Sequence, residues 1–521
     1  MNNIDQPENM RPESDDAGLA SLAGSGSILE RTARGAGWVI GWRMTTRFLG
    51  IISTLILVRL LTPADFGVVA LAMSLAQGLD QLSAVGIEDA IIRADRPDRA
   101  LYDTGFTINV IRGVITAGLL AACAVPIARF FKDPQLVTIM VAVAIGSAVS
   151  AFENIGIVDF RRYIAFDKEF ILKVLPRIIS IFVGISLAFI WHSYWALIAA
   201  ILTAQFLTIG LGYWMHPFRP RFTLVAWRQL AGYSSWTWAI NIIGRIRSSS
   251  DNLVIGRFFG PALVGIYGVG AEIAGLPNTE LVSPLCRAAF SGFAEARQSG
   301  NDGADTFLRL LGLMALLTVP AGLGLSLVAY PVIRLGFGSA WLGAVPLIQV
   351  LGVAGILTIF GSVSSTLFYA NAWLKAMTIM NIATTLCRVL LLIILVPQFG
   401  LMGAAIAVAI TDIADQLMYL FMTLRKLRIS FRRIFTMVIR TLIAACAMAV
   451  ILRLLHLGWS DMPGSAQQIG LRLAETVLLG GLVYVTVLTA LWVLAGKPIG
   501  AETDALKFIK RMTQRSTPHA R

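Results

Sequence analysis

Uninterrupted apolar runs of roughly 20 residues recur from one end of the chain to the other, for example 105–126, 376–397 and 472–495. A run of that length matches the ~30 Å hydrocarbon thickness of a bilayer when wound as an α-helix. Its backbone groups can then be satisfied without water only inside the helix itself. Composition agrees: 56% of the 521 residues are hydrophobic and 14% are charged, against about 25% charged in a soluble domain. Too few polar groups exist to cover several soluble domains. The runs are continuous rather than alternating, which disfavours an outer-membrane barrel. Four cysteines in 521 residues, none in a C-x-x-C pair, exclude a disulfide framework and indicate no zinc site. The expected fold class is an all-α polytopic membrane protein.

Fourteen spans are expected: 38–61, 66–86, 105–126, 136–158, 173–191, 194–214, 232–258, 262–286, 308–333, 343–369, 376–397, 400–423, 434–454 and 472–495. The second, seventh and eighth carry polar residues mid-span. Residues 1–30 are polar and acidic, lack a basic region followed by an apolar one, and read as a disordered tail rather than a signal peptide. The net charge is +13. In a soluble chain this would suggest nucleic acid; here it reports topology. With the termini and even-numbered loops on one side, that side collects 28 of the 43 Lys and Arg and the other side 7, residues at helix ends being counted with the adjoining loop. Positive charge stays on the cytoplasmic face, so both termini are expected there. No loop has room for a nucleotide-binding domain, and the G-x-x-x-x-G-K-[ST] pattern is absent.

The chain is internally duplicated. RLLTPADFGVVALA (59–72) matches RFFGPALVGIYGVG (257–270) at an offset of 198, with Arg59 on Arg257, Pro63 on Pro261, Ala64 on Ala262 and Gly67 on Gly265. Proline opens a helix where its missing N–H costs nothing. A second echo pairs 194–200 with 401–408, Ala196 on Ala404 and Ile198 on Ile406. Two parallel six-helix lobes follow, 31–217 and 218–428, with an appended helix pair at 429–496 and a basic tail at 497–521. Parallel repeats with a site near the midplane are a transporter architecture; a duplicated scaffold without transport is the plainer alternative.

Eight arginines fall inside the spans: Arg43, Arg47, Arg112, Arg177, Arg245, Arg247, Arg388 and Arg440. Each central one costs about 2.5–3.5 kcal/mol on insertion scales. Arg112, Arg177 and Arg440 lie near span ends and can snorkel. Arg43 and Arg47 share a helix face at i, i+4, and Arg47 plus the repeat offset gives Arg245. Arg47 and Arg245, then Arg43 and Arg388, are therefore the candidates for binding an anionic headgroup, since a guanidinium fork matches phosphate oxygens. The plainer reading pairs the arginines with buried acids, and Asp251 is expected to neutralise Arg247 one turn away. Asp80 and Glu280 are candidates for a coupling H+ or Na+; Glu280 lies between Pro277 and Pro284, where a broken helix would free carbonyls.

The segment ERTARGAGWVIGWRMTTRFLGIISTLILVRLLTPADFGVVALA (30–72) resembles the start of Wzx- and WzxC-like polysaccharide flippases of the multidrug/oligosaccharidyl-lipid/polysaccharide superfamily. Arg59, Leu60, Leu61, Pro63, Asp65, Phe66 and Gly67 carry most of the likeness, and 233–270 is similar to the same family's seventh helix. The resemblance implies a V-shaped pair of lobes, alternating access in the bacterial inner membrane, and an undecaprenyl-diphosphate-linked oligosaccharide as cargo. It implies as partners the bilayer, a polysaccharide polymerase and a chain-length regulator. It transfers no catalytic residues, and a transporter rather than an enzyme is expected. A lipid II flippase remains the alternative. A multidrug exporter would move cations, for which an arginine-rich cavity has the wrong sign. A polymerase or ligase would need a large outer loop. The topology is checked by fusing fluorescent protein and alkaline phosphatase to residue 521: fluorescence without phosphatase activity is expected, and the reverse would overturn the orientation.

Overall fold

The computed structural model describes residues 28–504, apart from 84–85, 95–96, 164, 231–234, 299–302, 462–463 and 499. Of the expected tail 1–30, residues 28–30 open the first helix and the rest lies outside the described residues. Of the basic tail, 501–504 form a helical turn and 505–521 lie outside. All regular secondary structure among the described residues is helical. In order it runs α1 (Ile28–Leu60), α2 (Pro63–Ser83), α3 (Ile87–Arg93), α4 (Arg99–Phe131), α5 (Gln135–Ser150), α6 (Val158–Arg162), α7 (Phe166–Trp191) and α8 (Trp195–Met215). There follow α9 (Trp227–Leu230), α10 (Ser235–Phe259), α11 (Pro261–Ala274), α12 (Ser283–Gln298), α13 (Ala304–Leu327) and α14 (Ala329–Gly336). The last are α15 (Val345–Ala354), α16 (Thr358–Ala370), α17 (Leu374–Leu427), α18 (Phe431–Leu454) and α19 (Ala466–Leu494).

Among the described residues, eight helices are long and apolar enough to cross a membrane, or nine if α5 and α6, bent by 67°, form one span. The protein is a multi-pass membrane protein. Helices α1, α2 and α10 fall outside that count; α1 and α10 carry arginines within them. The count takes α17 once, although its 54 residues include Gly400 at φ 59°, ψ −138°. A straight helix would separate Thr384 from Asp415 by about 46 Å, yet their side chains are 3.1 Å apart. Arg388 likewise reaches Asp412, and Tyr419 reaches Asn381. The pairs are arranged symmetrically about Gly400, so α17 is a hairpin of two antiparallel arms, 374–399 and 401–427. A side chain at Gly403 would overlap the carbonyl oxygen of Leu395, which shows how tight the reversal is.

Other expected spans are interrupted. The eighth, 262–286, breaks after Ala274 and resumes through a π-helical turn, Asn278–Val282, into α12. Pro277 caps that turn, and π-turns of this kind relieve a broken hydrogen-bond ladder. The fourth bends at Phe152–Asn154, where Asn154 accepts the Gly156 amide and ends the helical run. The tenth is divided between α15 and α16.

The chain divides into two compact units. The first comprises residues up to Leu61 and Leu75–Ser234; α7 packs on both α1 and α8, and α4 on α5. The second comprises Thr62–Ser74 and Ser235 onward, with α10 against the α17 hairpin and α18 against α13 and α19. Phe293, Phe307, Leu311, Met314 and Val363 form the buried centre of one core in this second unit.

The front half of α2 belongs to the second unit because of the repeated turn. A Cβ added at Gly67 would overlap the carbonyl oxygen of Pro261; one added at Gly265 would overlap that of Pro63. The two copies of the motif thus make the same backbone-on-backbone contact with each other. Phe66 packs edge-on against buried Trp341 at 5.4 Å, and Asn252 donates to Ser74 Oγ at 3.0 Å. Gly67→Ala and Gly265→Ala should each cost ~1–3 kcal/mol through overpacking. Gly78→Ala, whose added methyl meets nothing within 4 Å, should be neutral. Apparent melting temperatures in detergent test this, and equal melting of all three variants would remove the crossing from the account.

Candidate functional site

The second unit buries a network of charges drawn from three helices. Helix α10 supplies Arg247 and Asp251, α11 supplies Tyr267, and the α17 hairpin supplies Thr384 and Arg388 from one arm and Asp412 and Asp415 from the other. The local sequence explains the convergence. Arg247 and Asp251 lie one turn apart on α10. Arg388 and Asp412 face each other because they are equally far from the reversal at Gly400. Asp412 and Asp415 are three residues apart and so share a face of their arm.

Arg388 makes a bidentate pair with Asp251: Nε donates to Oδ1 at 3.0 Å and Nη2 to Oδ2 at 2.6 Å. Its Nη1 donates to Asp412 Oδ1 at 3.0 Å. Arg247 donates to the same Asp412 oxygen at 2.7 Å, and its Nη1 lies 3.2 Å from both Asp415 Oδ2 and Thr384 Oγ1. Thr384 donates onward to Asp415 Oδ1, and Tyr267 donates to Asp251 Oδ2 at 2.8 Å. Arg388 and Asp251 side chains are under a tenth exposed, Asp412 is 30% exposed. The network is closed at Asp251 and opens at Asp412. Three carboxylates share two guanidiniums, so the ionised network carries one surplus negative charge. A fork–fork Arg–carboxylate pair is the strongest geometry these groups offer. In a low-dielectric interior, removing one partner of such a pair costs about 3–5 kcal/mol.

The expectation that Asp251 neutralises Arg247 is corrected. Asp251 turns to Arg388 and Arg247 turns to the second arm, because the hairpin offers carboxylates at better geometry than one helical turn does. Asp412 and Asp415 are among the buried acids that the plainer reading of the sequence offers as partners for the arginines, and they do pair with them; the hydroxyl of Tyr267 was not singled out. The signal for the two acids was the i, i+3 pair in an apolar run, symmetric with Arg388 about Pro397 and Gly400.

The other candidates stand elsewhere. Arg43 is exposed on α1, its guanidinium 5.5 Å from the Trp42 ring centre. Arg47, one turn on, and Arg245 on α10 are each half-buried. Arg388 and Arg245 belong to the second unit and Arg43 and Arg47 to the first. Asp80 is half-buried on the rear half of α2, within electrostatic reach of Arg112. Glu280 is exposed in the π-turn and accepts from Thr279 Oγ1 at 3.1 Å. The π-turn supplies the helix break expected around it.

Residues 56–346 match the family described as polysaccharide biosynthesis protein. The chain is 22% identical over 443 residues to the lipopolysaccharide biosynthesis protein WzxC of Escherichia coli (strain K12), covering 82% of this chain and 89% of that protein. It is 22% identical over 411 residues to the teichuronic acid biosynthesis protein TuaB of Bacillus subtilis (strain 168), covering 78% and 84%. Its fold superposes on that of the lipid II flippase MurJ in an inward closed conformation with a TM-score of 0.69 at 14% identity, covering 87% of this chain and 99% of that one. A match that takes in more than half of the chain fixes the family: the chain belongs to the polysaccharide biosynthesis protein family.

Proposed function

We propose that this chain carries an undecaprenyl-diphosphate-linked oligosaccharide, a precursor of exopolysaccharide, O-antigen or capsule, across the bacterial plasma membrane by alternating access. The family match over 56–346 carries the reading. In this reading the chain crosses the membrane fourteen times, with two six-helix repeats, an appended pair and both termini cytoplasmic. The 28-to-7 distribution of Lys and Arg supports that orientation. Such a cargo presents a diphosphate, which needs cationic forks, and a sugar chain, which needs an opening rather than a fixed pocket. Arg47 and its repeat mate Arg245 are assigned to the diphosphate, with Arg43 beside Arg47. Arg388 joins them only by exchanging a carboxylate for a phosphate, since its fork is taken up by Asp251 and Asp412.

The surplus carboxylate supplies a place for a coupling cation. Guanidiniums already stand between the three acids, so a proton fits there with less rearrangement than Na+. Asp80 and Glu280 are the other candidates for that role. A polymerase and a chain-length regulator would take up the delivered repeat units.

Deletion of the chain should leave lipid-linked repeat units in the inner leaflet with cell-wall synthesis intact. Accumulation of lipid II with lysis would favour lipid II as cargo, and unchanged lipid pools with drug sensitivity would favour drug extrusion. The double variant Arg47→Ala/Arg245→Ala should abolish translocation of the diphosphate lipid at unchanged membrane level, with Arg→Lys retaining part of the activity because the charge survives without the fork. Normal translocation by the double variant would remove both arginines from the site.

The buried network has a separate test. Arg388→Met should cost ~3–5 kcal/mol by stranding Asp251, and Arg388→Met/Asp251→Leu should recover much of it. Melting temperatures in detergent decide this. A double variant no better than the single would show that the pair is not what stabilises these helices.

A further inference from the structure

Between α8 and α10 the chain does not loop into water. Residues 217–224 run as an extended strap along the first turns of α4 and turn at 225–226 into α9. Their amides are taken by side chains of that helix: Arg221 N donates to Asp103 Oδ1 at 2.8 Å, Thr223 N to Thr107 Oγ1 at 2.9 Å and Ala226 N to Thr104 Oγ1 at 3.2 Å. All three acceptors are buried. The strap's start is held as well. Asn154 Nδ2 donates to Phe218 O at 3.0 Å, His216 Nδ1 accepts the Phe218 amide, and Arg99 donates to Arg219 O.

These bonds set the depth of the strap. Helix α4 has 33 residues, about 50 Å at 1.5 Å per residue, against ~30 Å of hydrocarbon. The excess is shared between its two ends, and the end that carries Arg99, Asp103 and Thr104 ahead of the apolar run 105–126 is assigned to headgroup level. At that level the strap turns apolar side chains outward: Phe222 is 68% exposed, Leu224 46%, Val225 83% and Trp227 53%. Arginines are interleaved with them. Arg221 and Arg228 are exposed, Arg228 stacks on Trp227 at 5.7 Å, and Arg99 on Phe218 at 5.7 Å. Four large apolar groups bared beside guanidiniums would be an adverse surface in water. At an interface they match their surroundings: aromatic rings sit at headgroup level and guanidiniums meet lipid phosphates.

We propose that residues 219–228 form an interfacial anchor that inserts Phe222, Val225 and Trp227 into the leaflet and binds anionic phospholipid headgroups through Arg221 and Arg228. The anchor is built into the first unit and is independent of the cargo. Lifting residues 221–226 out of the leaflet costs their bonds to α4 as well as the lipid contacts, so the bonds and the arginines together set the balance between the inserted and the water-exposed strap.

The test uses the full-length chain in nanodiscs, with a nitroxide on Val225→Cys and Cys123, Cys286, Cys387 and Cys446 replaced by alanine. In discs of phosphatidylcholine with phosphatidylglycerol, the label should collide with oxygen and be shielded from an aqueous nickel chelate. Arg221→Gln and Arg228→Gln should each lower the ratio of inserted to water-exposed label by about fivefold. A label open to the chelate in those discs overturns the anchor. Equal insertion in pure phosphatidylcholine overturns the role given to the arginines. Hydroxyl-radical footprinting of the unsubstituted chain reads the same surface without the cysteine changes. Protection of Phe222 and Trp227 in the anionic discs supports insertion, and oxidation of both at the rate of free residues overturns it.

Discussion

A charge placed among apolar helices must be met by an opposite charge, and in this protein the pair Arg388–Asp251 is where that demand is answered most completely. The pair joins α10 to the first arm of α17 through two parallel hydrogen bonds. Asp412 then ties the second arm to both, and Tyr267 adds α11. The association of these helices does not rest on apolar burial alone, which inside a bilayer gives little preference for one neighbour over another. Directional bonds between charged groups supply the selectivity. The hairpin at Gly400 is the precondition, since only a reversal there brings 388 beside 412.

Duplication has a different physical consequence. Two copies of one turn need not touch, but here Pro63–Gly67 and Pro261–Gly265 do, each placing a glycine against the other's proline carbonyl. The match in sequence and the contact in space therefore have one cause. Glycine is needed at both positions because two backbones meet there with no room for a side chain. That close approach carries the front half of α2 into the second unit, while Leu75–Ser83 stays with the first.

The spans with the longest apolar runs were legible from hydropathy, since a helix in lipid must satisfy its own backbone. The reversal between 397 and 400 was legible too, because proline and glycine stand there in an otherwise unbroken run. The eighth span was less so. Pro277 and Pro284 marked a disturbance around Glu280, but the π-helical resumption into α12 depends on packing that periodicity does not record. Pairing within the charge network was misread for a related reason. Sequence spacing favours the i, i+4 partner, whereas Arg247 and Asp251 each find better geometry on α17, more than 130 residues away. The strap was invisible to pattern reading, as its bonds to Asp103, Thr104 and Thr107 span 116 to 122 residues.

The arrangement of the network bears on how a transporter could use it. A buried ion pair is a poor source of net stability compared with apolar groups of the same volume. What it offers is a choice of partners. Asp412 Oδ1 already accepts from Arg247 and Arg388 at 2.7 and 3.0 Å, and it is the most open member of the set. Protonating an acid there would neutralise the surplus carboxylate and leave two balanced Arg–Asp pairs that can exchange partners. The two arginines of those pairs lie on α17 and α10, and α10 also bears Arg245. In the proposed transport cycle no new charged group need enter the membrane, and the charges the hairpin has brought together exchange partners.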